Sequence, residues 1–136
     1  MPFLIDSSAL WRIGRDADIR SAWTEVIVNG VINSCQPQRV EFRRSARNLD
    51  EFEEMNATFQ QLYPDVPVPK NVWQWMDTAQ YQLLRRGAHR ALSTVDLLIC
   101  ATAAHHGLVI VHDDHDFETA ARHLPDVRER NVNRRP

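Results

Sequence analysis

The sequence predicts an α/β fold with a short, mainly parallel sheet covered by helices on both sides, and three observations carry that prediction. Short apolar runs at Pro2–Ile5, Val31–Cys35 and Leu108–Val111 have the length and β-branched content of buried strands. Segments with apolar residues at helical spacing fill the intervals between them. Capping residues and glycines punctuate those intervals where helices should start and stop. Strands alternating with helices give parallel pairing, because each crossover returns the chain to the same end of the sheet.

The elements follow in order. Pro2–Ile5 is a strand ending at Asp6, after which Ser7 or Ser8 caps a helix through Ile13, with Gly14 as its stop. Asp16 and Asp18 open a second helix bearing Ile19, Ala22, Trp23, Val26 and Ile27, closed by Gly30. Val31–Cys35 is the second strand. Pro37 starts a helix carrying Val40, Glu41 and Arg44 into Ala46. Asn48 caps a longer one with Leu49, Phe52, Met55, Phe59 and Leu62 on one face. The three prolines of Pro64–Pro69 make a rigid connection. A helix from Val72 ends near Gly87, and Ser93 or Thr94 caps the most apolar helix, Val95–His105. The strand Leu108–Val111 runs into the acidic loop His112–Asp116, and a helix from Phe117 to His123 precedes a last short strand near Val127. The helical middle, residues 37–87, makes helix outweigh strand.

The 136 residues suit one domain spanning the whole chain, with 43% hydrophobic and 25% charged residues, an ordinary globular balance. Cys35 and Cys100 sit in apolar surroundings and read as buried, reduced thiols of a cytoplasmic protein. The longest apolar run, Val95–Ala104, is interrupted by Asp96 and falls short of the ~20 residues that span a bilayer. The segment Met1–Ile5 has no basic region and meets an aspartate at once, unlike a signal peptide. No contact with a membrane is expected. The net charge of −2 argues against a general nucleic-acid binder, yet fifteen of the sixteen Lys and Arg residues are arginine, which pairs bidentately with phosphate.

Candidate chemistry lies in the carboxylates. In open parallel sheets ligands sit beyond the carboxyl ends of the strands, where Asp6 and the Asp113/Asp114/Asp116 loop both fall. Asp6 competes with a helix-capping role that Ser7 and Ser8 fill equally well. Glu41 alone can be read as an i,i+3 partner of Arg44. Asp96 sits on the first turn of an almost wholly apolar helix, where a carboxylate is costly unless paired or metal-bound; the bland alternative is a capping box with Ser93. Three aspartates within four residues after a strand repel one another unless a cation is present. Of these Asp114 is the preferred ligand, Asp116 the reserve or a helix cap, and Asp113 an exposed bystander. An all-oxygen donor set selects Mg²⁺ or Mn²⁺. His112 and His115 lack the third nitrogen or sulfur ligand that zinc requires.

The ordered set resembles the PIN-domain endoribonucleases, especially VapC-like toxins of bacterial toxin–antitoxin pairs. Phe3-Leu4-Ile5-Asp6-Ser7-Ser8-Ala9-Leu10 is similar to the family's first motif, and Glu41 with Ser45-Ala46 downstream to its second. Asp96-Leu97-Leu98-Ile99-Cys100-Ala101-Thr102-Ala103 is similar to the third, and Leu108–Phe117 to the closing strand with its aspartates. Cys100 and the Arg43-Arg44 pair depart from the usual residues. The resemblance implies a three-layer α/β/α sandwich with a helical insertion, and RNA hydrolysis leaving 5′-phosphate and 3′-hydroxyl ends. It implies Asp6, Glu41, Asp96 and Asp114 as the catalytic acids, with Asp6, Asp96, Asp114 and Asp116 toward the metal and Ser8 steadying Asp6. Arg43, Arg44, His89 and Arg90 would guide the RNA backbone. The resemblance further implies a homodimer silenced by a VapB-like antitoxin, for which Trp73, Trp75 and Tyr81 are contact candidates unless they belong to the core. The alternative is a catalytically silent PIN-like module that binds RNA or protein. A haloacid dehalogenase-type phosphatase also begins with an aspartate after its first strand, but it needs a second one where Ser8 stands.

Overall fold

The computed structural model describes residues 2–136; Met1, which begins the N-terminal run and the predicted domain, lies outside them. Four strands, β1 (Phe3–Ile5), β2 (Ile32–Asn33), β3 (Val109–His112) and β4 (Arg128–Asn131), form one sheet in the order β2-β1-β3-β4, with every pairing parallel. Among the described residues seven helices accompany them: α1 (Ser7–Arg15), α2 (Ala17–Val28), α3 (Gln36–Arg43), α4 (Leu49–Leu62), α5 (Val72–Arg85), α6 (Thr94–His106) and α7 (His115–His123).

The strand pleat sorts the core into two layers. Phe3, Ile5, Val109 and Val111 point to one face, where they pack with Leu10 and Ile13 of α1, Trp23 and Ile27 of α2, and Phe59 of α4. Leu4 and Ile110 point to the other, packing with Met76 and Leu83 of α5, Ile99 and Cys100 of α6, and Phe117 of α7. This is the expected three-layer α/β/α sandwich. Strands buried on both faces need continuous apolar sequence, which is why β1 is an unbroken apolar run and β3 is one up to its last residue, His112.

Several boundaries differ from expectation for identifiable reasons. Asp6, not Ser7 or Ser8, caps α1, and Gly14 lies inside that helix because Asp16 takes the C-cap. Helix α3 stops at Arg43, short of Ala46, where the Ser45 hydroxyl donates to the Phe42 carbonyl. Of the face predicted for α4 only Phe59 is buried, while Leu49 and Phe52 are exposed. Trp73 and Tyr81 of α5 are 64% and 61% exposed, so neither is a core residue; Trp75 packs at the core edge and donates its indole N–H to Asp126 at 2.7 Å. Helix α7 begins at His115, because Asp114 and not Asp116 is its cap. The last strand falls just after Val127, which is itself core. The proline-rich connection is docked on the sheet edge: Ser34 accepts from Val66 N–H and donates to the Pro64 carbonyl, extending β2 by a parallel bridge to Asp65. Cys35 and Cys100 are both buried free thiols, as predicted. Among the described residues no helix is long and apolar enough to cross a membrane.

Candidate metal centre

The strand order places a topological switch point between β1 and β3. From β1 the chain moves outward to β2, then returns past β1 to β3 and β4 on its other side. Loops leaving the carboxyl ends of β1 and β3 therefore diverge and open a crevice between them. Asp6 and the Asp113-Asp114 pair are the residues at those two exits.

Three helix N-termini meet there, each carrying a carboxylate. Asp6 caps α1, its Oδ2 accepting from the Ser8 N–H at 3.0 Å and the Ser8 hydroxyl at 2.5 Å. Asp96 occupies the third position of α6 in a capping box: Asp96 N–H donates to Ser93 Oγ, and Ser93 N–H donates to Asp96 Oδ2, both at 3.1 Å. The bland role weighed for Asp96 thus exists, and only one of its oxygens is engaged in it. Asp114 caps α7, its Oδ1 accepting from Asp116 N–H at 2.9 Å. The partial positive charge at each N-terminus offsets a carboxylate there. Glu41 arrives from the side on α3.

These acids share one field. Burial, opposed by Ser8, pushes the Asp6 carboxyl up from 3.8 to about 6, and Asp96 and Glu41 add to the rise. Asp96 is raised by burial against the pull of Ser93, with Asp114 and Asp116 pushing it further. Glu41 is raised by burial and by Asp96, while the Ser7 hydroxyl and Arg44 oppose. Asp96 is the hub that every other acid of the set reaches. Asp6 is 4% exposed, a burial aspartates seldom reach without a partner. Among the described residues, none of Asp6, Glu41, Asp96, Asp114 and Asp116 forms an ion pair with a basic side chain. Nor do any three His, Cys, Asp or Glu side chains among those residues close to the spacing that grips an ion. The carboxylates are in electrostatic reach, not in ligating contact. As donors they are hard oxygens with negative charge in excess, which fits Mg²⁺ or Mn²⁺.

Around the acids the structure adds contacts that the sequence does not show. Ser8 Oγ accepts from Asp113 N–H at 2.9 Å while donating to Asp6, so one hydroxyl ties the two strand exits together. Asp113 is no bystander: Arg12 Nε donates to its Oδ2 at 2.9 Å and Asn133 Nδ2 to its Oδ1 at 2.7 Å. Gln38, fully buried on α3, donates to Ser7 Oγ at 3.3 Å and leaves its own Oε1 unpaired. Partners 101 or 20 residues apart leave no local pattern; the one available signal was a polar residue, His112, ending an apolar strand.

The basic candidates divide. Arg43 is committed to structure, donating to the Arg39 carbonyl and to Asn56 and lying over the Phe52 ring, so it is withdrawn from the RNA-guiding set. Arg44 is exposed next to Glu41. His89 and Arg90 are exposed on the loop entering α6.

The chain is thus an all-parallel α/β/α sandwich with a multi-carboxylate crevice at its switch point. A family model of the PIN domain matches residues 3–123, and the chain belongs to that family. It is 63% identical over 101 residues to Ribonuclease VapC6 of Mycobacterium tuberculosis, covering 74% of this chain and 80% of that one. It is 31% identical over 119 residues to Ribonuclease VapC21 of the same species, covering 88% and 86%. In fold it is similar to a chain of the DNA-bound VapBC of Salmonella typhimurium, with a TM-score of 0.78 at 15% identity over 97% of this chain and 98% of that one.

Proposed function

We propose that this protein is a divalent-cation-dependent endoribonuclease, the toxin of a VapBC-type toxin–antitoxin pair. The observation that carries the reading is a set of five carboxylates, drawn from four separate elements, with no cationic side chain to pair with among the described residues; burial and acidic neighbours raise the proton affinity of Asp6, Glu41 and Asp96. Helix capping engages one oxygen each of Asp6, Asp96 and Asp114, and burying the set is destabilising, which supports a bound cation as the missing partner. Close kinship with proteins named ribonucleases supplies the reaction class.

In this reading Asp6 and Asp96 are the principal ligands for Mg²⁺ or Mn²⁺. Glu41 and Asp114 complete the acidic set, holding the attacking water in line with the phosphorus, and Asp116 stands beside Asp114 on the first turn of α7. Ser8 fixes the Asp6 carboxylate through the bond it already makes. A divalent ion bound there would lower the pKa of a water and neutralise charge developing on the phosphoryl oxygens. Arg44, His89 and Arg90 draw the RNA backbone over an otherwise repulsive pocket. The partners are RNA, a second copy of the chain and a VapB-like antitoxin, with the exposed Trp73 and Tyr81 of α5 available to a protein contact, all in the cytoplasm. Purified protein is incubated with total RNA and Mg²⁺, beside EDTA and Asp96→Asn controls. Cutting that both controls abolish is expected. Cutting that survives both refutes the four-acid mechanism, and RNA binding without cutting would make the chain a binding module.

A further inference from the structure

We propose that His112, held by Glu129, is a positioning residue that aims Asp114 into the acidic crevice, an assignment that rests on the metal-dependent reading above. His112 ends β3 and its side chain has no exposed surface. Both ring nitrogens are used. Nδ1 accepts the backbone N–H of Asp114 at 3.1 Å, so the ring hydrogen must sit on Nε2, which faces Glu129 Oε2 at 2.6 Å. The Phe117 ring, 5.3 Å away between centroids, closes one side. Val132 N–H, just after β4, donates to the His112 carbonyl at 2.7 Å, so the main chain there braces the residue as well as Glu129.

The consequence falls on Asp114. Its amide would otherwise be an unpaired donor at the end of a strand, free to turn the peptide away. Pinned by His112, the peptide presents the Asp114 side chain as the cap of α7, with Oδ1 on Asp116 N–H and Oδ2 left uncommitted among the described residues. The preceding peptide is pinned separately, Asp113 N–H to Ser8 Oγ, and Ser8 also holds Asp6. The two bonds set the β1 and β3 exits at a fixed separation. Glu129 lies 17 residues from His112, and its side chain hydrogen-bonds to no other member of the site among the described residues; its part is to lock the ring's tautomer and rotation, as carboxylates do for histidines beside metals.

Two substitutions separate this role from packing. In His112→Asn the amide oxygen takes the place of Nδ1 and keeps the bond to Asp114. In His112→Gln the amide nitrogen takes the place of Nε2 and keeps only Glu129. Each variant is measured for Mn²⁺ affinity by calorimetry, hydrogen exchange across residues 113–116, RNA-cleavage kcat and KM, and urea midpoint. His112→Gln should weaken Mn²⁺ about tenfold or more, speed exchange in that segment and lower kcat with KM for RNA unchanged, while His112→Asn stays near the parent in all of these. Equal losses in the two variants, or losses that follow the urea midpoints, overturn the proposal. Should His112→Gln not fold, Glu129→Ala against Glu129→Gln carries the same comparison, since the glutamine still accepts from Nε2. If the parent protein takes up no Mn²⁺, the metal reading fails on its own. Exchange then decides the strut, and unchanged exchange in His112→Gln refutes it.

Discussion

Asp6→Asn should make the cation-free protein more stable while removing its activity. The Asp6 carboxyl is raised from 3.8 to about 6, chiefly by burial and further by Asp96 and Glu41, so its ionised form is disfavoured in the folded state. Two units at 1.36 kcal/mol each put the penalty near ~3 kcal/mol, an order-of-magnitude figure. Asparagine keeps the cap, because its oxygen still accepts from the Ser8 N–H and hydroxyl, and asparagine is as good an N-cap as aspartate. The sign with pH follows from linkage. A raised carboxyl contributes no penalty below the unfolded value of 3.8, and the penalty grows as pH rises through about 6, above which it is constant. Urea unfolding in EDTA from pH 4 to pH 8 would therefore show the two proteins nearly equal at the acid end, with the variant ahead by ~3 kcal/mol at the alkaline end. Adding Mg²⁺ should raise the parent's midpoint and leave the variant's unmoved, since only a folded state with its ligand intact binds the ion. A variant less stable than its parent at pH 8, or a difference that does not change with pH, would refute the claim that Asp6 is held charged at a cost.

Other expectations concern the frame around the site. Trp23 is fully buried and donates its indole N–H to the Val132 carbonyl at 2.8 Å, so Trp23→Phe orphans that acceptor. A loss of about 1–3 kcal/mol in urea titrations is expected, with faster hydrogen exchange in the segment after β4; no change would mean that the bond is dispensable. Phe59, 1% exposed, is the buried anchor of α4 against Phe42 and Tyr63. Phe59→Ala should cost about 3–5 kcal/mol, whereas Leu49→Ala on the exposed face of α4 should cost little. Burial pushes the Cys35 thiol up to about 11 and Cys100 higher still, so native protein at pH 8 should resist a thiol reagent that labels both cysteines once urea unfolds it.

Much of this was legible in the chain. The apolar runs Phe3-Leu4-Ile5 and Val109-Ile110-Val111 announce doubly covered parallel strands, because only such strands lack a polar face. Every acid of the crevice except Glu41, which lies within α3, stands at a helix N-terminus, where local hydrogen bonding fixes the boundary. The cap assignments were harder, since Asp6, Ser7 and Ser8 compete for one position and the winner depends on where the side chains point in space. Arg43 shows the same limit: on sequence a free cation beside Glu41, in the fold a brace between α3 and α4.

What the sequence determines by itself is the alternation of elements and the two-sided sheet, both set by periodicity and residue chemistry within short windows; the acids it offers only as candidates. Only the tertiary structure decides that Asp96 is the electrostatic hub, that Asp113 is tied to Arg12 and Asn133, and that Glu129 reaches back to His112. These contacts join segments that are neighbours only because β3 lies between β1 and β4. The order of strands in a sheet is a global choice of packing, made by the burial of both faces at once, and no local stretch of residues encodes it.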